Sequence, residues 1–159
     1  IEFGNFLLSS DSWKEYDLGN IKTSEELKEI FVKENKYDKR YYDAFFDNHW
    51  MENILSSLDD GVRLLKEIAN KGYDLFIISN FPIDAIEHVY KRHDFFKLFK
   101  GAVISGYEHL IKPEKDIYDL NGCVCDSLHA KSKKAGDDHP DEHQQGNDHL
   151  FPVLPLNSS

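Results

Sequence analysis

Two short apolar runs, Leu75-Phe76-Ile77-Ile78 and Ala102-Val103-Ile104, are separated by a segment long enough for one helix. An apolar run bounded by polar residues reads as a strand buried on both faces, as strands of parallel sheets are. The segment between them predicts a helix over about 82–92, with Pro82 in the first turn, where its missing N–H costs nothing. Strand, helix and strand in that order imply a βαβ unit. In open α/β sheets the loops at the carboxyl ends of the strands hold the ligand. Ser79 closes the first run, and Lys112, set before Pro113, lies just beyond the second. A hydroxyl and an ammonium meeting in one crevice suit an anion such as phosphate.

The remaining chain divides by pattern. Residues 1–10 open with IEFGNFLL, an apolar stretch short enough for a first strand and its turn. Residues 11–58 are helical in character. Thr23 and Glu26 stand at capping-box spacing before Leu27, Ile30 and Phe31, and Tyr42, Phe45, Phe46, Trp50, Ile54 and Leu58 recur at helical spacing. Tyr41, Tyr42, Phe45, Phe46 and Trp50 are expected to form the core of this helical hairpin. In 59–120, Val62, Leu64, Leu65 and Ile68 mark a helix that Gly72 can close in the left-handed conformation. Pro113 is placed to open a helix running through Ile117, Tyr118 and Leu120. From 121 to 159 apolar periodicity fades into His, Asp, Lys and Gly, which predicts a poorly ordered or loosely packed segment.

The length of 159 residues fits one domain with a real core. A net charge of −10 with no basic stripe argues against a nucleic-acid surface. No apolar run approaches the roughly 18 residues of a membrane span. No signal peptide is visible, and two cysteines, Cys123 and Cys125, are too few for a disulfide framework, so a reducing, cytoplasmic setting is expected. Ile1 in place of an initiator Met suggests a fragment or a trimmed start.

GYDLFIISN and GAVISGYEHLIKPEKDIY together resemble two motifs of the haloacid dehalogenase-like hydrolases, specifically the small-molecule phosphatases and dehalogenases with a helical cap. In that family a Ser or Thr ends the second core strand and a Lys follows the third. The resemblance runs from about Trp13 to Tyr118. It implies an α/β fold: a Rossmann-like parallel sheet with a small helical cap, its core incomplete toward the C-terminus. It further implies a phosphatase, more than a dehalogenase, acting on a small phosphorylated metabolite through a carboxylate nucleophile and Mg²⁺. IEFGNFLL aligns with the family's first strand and puts Glu2 where relatives carry the nucleophilic Asp. The extra methylene moves the attacking oxygen by about 1 Å, enough to cost roughly a hundredfold. Ser79, Asn80 and Lys112 would hold the phosphoryl group. Mg²⁺ would lie against Glu2, Gly4, Asp137 and Asp138, oxygen ligands of the right kind. The alternative is a catalytically silent member that acts at most as a binding module. Monomer and homodimer both stay open, the latter through the cap's aromatic face.

The C-terminal residues offer two other chemistries. Cys123-x-Cys125 with His129, His139, His143 and His149 supplies sulfur and nitrogen suited to Zn²⁺, though in no common zinc spacing. Cys125 beside His129 has a nucleophile and a base but no third group to orient them.

Overall fold

The structure is a computed structural model and describes residues 2–134. Among the described residues it is a mixed α/β fold of nine α-helices and a two-stranded parallel sheet.

The sheet is the βαβ unit that the two apolar runs imply. Strand β1 (Leu75–Ser79) pairs in parallel with β2 (Phe99–Ile104). The helix between them, α7 (Ile83–Arg92), leads through a 3-10 turn (Asp94–Leu98) into β2. Pro82 is the N-cap of α7 rather than its first residue, and β2 starts three residues before the run read from the sequence. Ser79 stands level with Ile104, so the two strands finish together. Alternation then sorts the side chains. Ile77 and Ile104 pack with Ile86 and Val89 of α7, whereas Phe76, Ile78 and Val103 pack with Ile117. Ile117 belongs to α9 (Lys115–Lys134), so each face of the sheet has apolar residues against it, but β1 is half-buried along its whole length rather than buried on both faces as its apolar run implies.

Before the sheet comes a helical layer: α1 (Glu2–Leu8), α2 (Asp11–Asp17), α3 (Ser24–Glu34), α4 (Lys39–Phe45) and α5 (Trp50–Ile54). Local chemistry fixes several of its ends. The Ser10 side chain accepts from Trp13 N at the start of α2, Thr23 from Glu26 N at the start of α3, and Asp38 from Arg40 N at the start of α4. The Glu26 carboxylate reaches back to Lys22 N at 3.0 Å. Leu7, Tyr16, Leu27, Phe31 and Tyr42 are fully buried here, and the Phe31 and Tyr42 rings stack with centroids 5.9 Å apart. The aromatic stripe is core, as expected, with Tyr41 its exposed member. Helix α6 (Asp59–Asn70) then leads to β1, and Gly72 at φ +85° follows its end.

Three expectations are corrected. The stretch EFGNFLL is the helix α1, not a first strand. Its apolar residues Phe3, Phe6 and Leu7 fall at i, i+3 and i+4, and Phe3 meets the rings of Tyr37, Tyr41, Tyr42 and Phe45. The single helix read over Tyr41 to Leu58 is two short ones, divided at 46–49 where the Asp47 side chain accepts from His49 N. Finally, α9 continues past Leu120 to Lys134. Leu128, Ala130, Lys131, Lys133 and Lys134 favour helix, and no proline interrupts them. Residues 135–159 of the segment expected to be poorly ordered lie outside the described residues.

Candidate anion-binding site

The flush register of β1 and β2 brings the loops that follow them side by side. Three hydrogen bonds join Lys112 to the end of β1. Its ammonium Nζ donates to the carbonyl of Ile78 at 3.2 Å, its N–H donates to Asn80 Oδ1 at 2.8 Å, and its carbonyl accepts from Asn80 Nδ2 at 3.1 Å. Lys112 is thus held by the residues on either side of Ser79. The Ser79 hydroxyl lies 3.5 Å from the Asn80 carbonyl, too long to commit its proton. Both Ser79 and Lys112 are half-buried. An ammonium has three donors, and the Ile78 carbonyl occupies one. Among the described residues no carboxylate pairs with Lys112, so the remaining charge and the Ser79 hydroxyl can serve an incoming anion.

The same loops carry contacts that sequence reasoning missed. Ser105, fully buried, accepts from Phe81 N at 2.9 Å and donates to the carbonyl of Asp17 at 2.5 Å. His109 Nδ1 donates to the Leu18 carbonyl at 2.7 Å. Gly19, at φ +72°, lies so close to Gly106 that a Cβ would collide with its carbonyl. The turn after α2 is therefore seated on α8 (Ser105–Glu108), the short helix that follows β2. Farther along this seam, Tyr16 Oη donates to Asp84 Oδ1 at 2.5 Å, and Ser24 N donates to Asp84 Oδ2 at 2.7 Å. Burial and the bond to Asp84 push the Tyr16 phenol far above its usual range, so it stays a donor. Burial raises the Asp17 carboxyl to about 6. A glycine in Asp17-Leu18-Gly19-Asn20 and a serine directly after β2 were the available signals.

Other expected site residues fall elsewhere. Glu2 is exposed in the first turn of α1, where its charge complements the positive end of the helix. It is not the carboxylate of a strand terminus. Glu2 and Gly4 do not fit a shared Mg²⁺: Gly4 offers only its main-chain carbonyl, which in a helix points along the axis toward the C-terminal end, while the Glu2 carboxylate projects from the first turn at the other end. Asp137 and Asp138 lie outside the described residues, and among those described no group of three His, Cys, Asp or Glu is disposed to hold a metal. Cys123 and Cys125 are unbridged and, two apart on α9, point to different sides. His139, His143 and His149 lie outside the described residues.

A cleft of about 300 Å³ opens elsewhere, lined by Glu25, Phe46, Asp47, Trp50, Glu52 and His88 among others. Its three carboxylates have the wrong sign for a phosphoryl group, which favours the Ser79–Lys112 end of the sheet. Among the described residues no helix is long and apolar enough to cross a membrane. Comparison with protein-family models, curated proteins and solved structures finds no match to this chain.

Proposed function

We propose that the chain binds a phosphoryl group at the end of β1 in the manner of the haloacid dehalogenase-like hydrolases, with a small phosphorylated metabolite as ligand. The observation that carries this reading is the attachment of Lys112 to Ile78 and Asn80, which brackets Ser79 with the loop bearing the ammonium. A cation and a hydroxyl at the carboxyl ends of parallel strands are the groups that stabilise a phosphoryl oxyanion. The βαβ unit is read as part of a larger Rossmann-like core, and the helical layer as its cap. In this reading the activity is phosphatase action in which the attacking carboxylate is one other than Glu2, and any dependence on Mg²⁺ rests on Asp137 and Asp138.

A second reading, phosphoryl binding without turnover, is favoured by one observation. Glu2, the residue aligned with the nucleophile, is on a helix of the other layer. One experiment separates the two. Inorganic phosphate is titrated into the full chain, and p-nitrophenyl phosphate turnover is followed with and without Mg²⁺. Binding weakened about a hundredfold by Lys112→Ala supports the site, on the scale of a lost charge-assisted contact. Turnover abolished by the same change selects the enzyme, and binding with no turnover selects the silent module. Phosphate binding that is indifferent to Lys112→Ala removes both.

A further inference from the structure

We propose that Asn80 is a positioning residue: it sets the ammonium of Lys112 at the end of β1 and does not itself contact the anion. The inference rests on the phosphoryl-binding reading and replaces the expectation that Asn80 binds substrate. Both ends of its side-chain amide bond the backbone of Lys112, Oδ1 accepting from the N–H and one Nδ2–H donating to the C=O. Two bonds exchanged with one residue copy the pairing of opposed residues in neighbouring strands, so Asn80 extends β1 sideways by one rung made of side chain. The next residue cannot take over this task, since Pro113 has no N–H. A lysine side chain is long and freely rotating, and its charge is placed only if its backbone is held. Here the backbone is held by Asn80 and the far end by Ile78. Ser79, between the two, is left with only a long contact to the Asn80 carbonyl. The chain thus assigns adjacent residues different work: Ser79 faces the ligand, and Asn80 faces the lysine that faces the ligand.

The test uses the full chain with inorganic phosphate as probe, read by phosphorus NMR line broadening. Asn80→Ala is expected to weaken binding about tenfold and Lys112→Ala about a hundredfold. The double variant is expected to be no weaker than Lys112→Ala alone, because Asn80 acts through Lys112. A further tenfold loss in the double variant overturns the proposal, since it reports a direct contact. A readout on the unsubstituted chain needs neither the variants nor phosphate. The Lys112 amide should exchange slowly with solvent and show a through-hydrogen-bond coupling to the Asn80 side-chain carbonyl. A fast-exchanging Lys112 amide without that coupling overturns the clamp. Should the unsubstituted chain bind no phosphate, the phosphoryl reading fails on its own, while the amide result still decides whether Asn80 positions Lys112.

Discussion

The carboxyl of Asp17 is raised to about 6 because burial penalises its charged form. An unfolded aspartate titrates near about 3.9, so the folded chain holds this proton more tightly. The resulting stabilisation is complete below about pH 4 and is lost as pH rises through about 6. Asp17→Asn carries no charge at any pH and escapes the loss. It should be more stable than the parent at pH 7.5 by about 1–2 kcal/mol, a figure reduced for the solvent that reaches this half-buried side chain. The difference should vanish near pH 4. Urea unfolding at the two pH values measures it, and an equal difference at both would show that ionisation is not the cause.

Helices α2, α3 and α7 converge on one carboxylate. Asp84, in the first turn of α7, accepts from the Tyr16 hydroxyl of α2 and from Ser24 N at the start of α3. Tyr16→Phe keeps the ring and removes one donor to a charged acceptor, and should cost about 1.5–3 kcal/mol. Asp84→Ala should cost more, because it also strands a buried phenol and an amide at a helix start. A shift in denaturation midpoint at constant slope is the expected signature, and a Tyr16→Phe chain as stable as the parent would mean the bond contributes nothing. The contrast with β1 shows what a sequence makes legible. β1, α7 and the capped start of α3 announce themselves through neighbours in the chain: an apolar run, a proline, a Thr with a Glu three residues on. α1 misled because seven residues rich in apolar side chains fit a strand as readily as a helix until a partner is known. Ser79 and Lys112 were legible because each closes a local pattern. Asp84, Ser105 and Asp17 were not, since the partners that join them across the layers lie 60 to 88 positions away and only the fold brings them together.

At the scale of the molecule the described residues form separate apolar cores, one inside the helical layer and two on the faces of the sheet. The helical layer touches α8, after β2, where Gly19 lies against Gly106. Both tryptophans of the chain, Trp13 and Trp50, belong to the helical core, so their fluorescence reports that layer alone. Gly19→Ala combines a strained left-handed alanine with a collision against backbone, and neither can relax without parting the layers. In the parent chain, fluorescence and far-ultraviolet circular dichroism should melt together. In Gly19→Ala the fluorescence midpoint should come first, by several degrees on the scale of about 4–8 °C per kcal/mol for a small domain. Coincident, unshifted midpoints would show that the seam does not couple the layers. The two bonds donated by Ser105 and His109 both end on main-chain oxygens, those of Asp17 and Leu18. The acceptors are therefore indifferent to which side chains stand at 17 and 18, and what they demand is a chain path that glycine at 19 permits. A foreign helical layer grafted onto this sheet should seat when its own turn follows that path and it also brings donors to Asp84 where Tyr16 and Ser24 now stand, making this joint a place to cut when building chimeras.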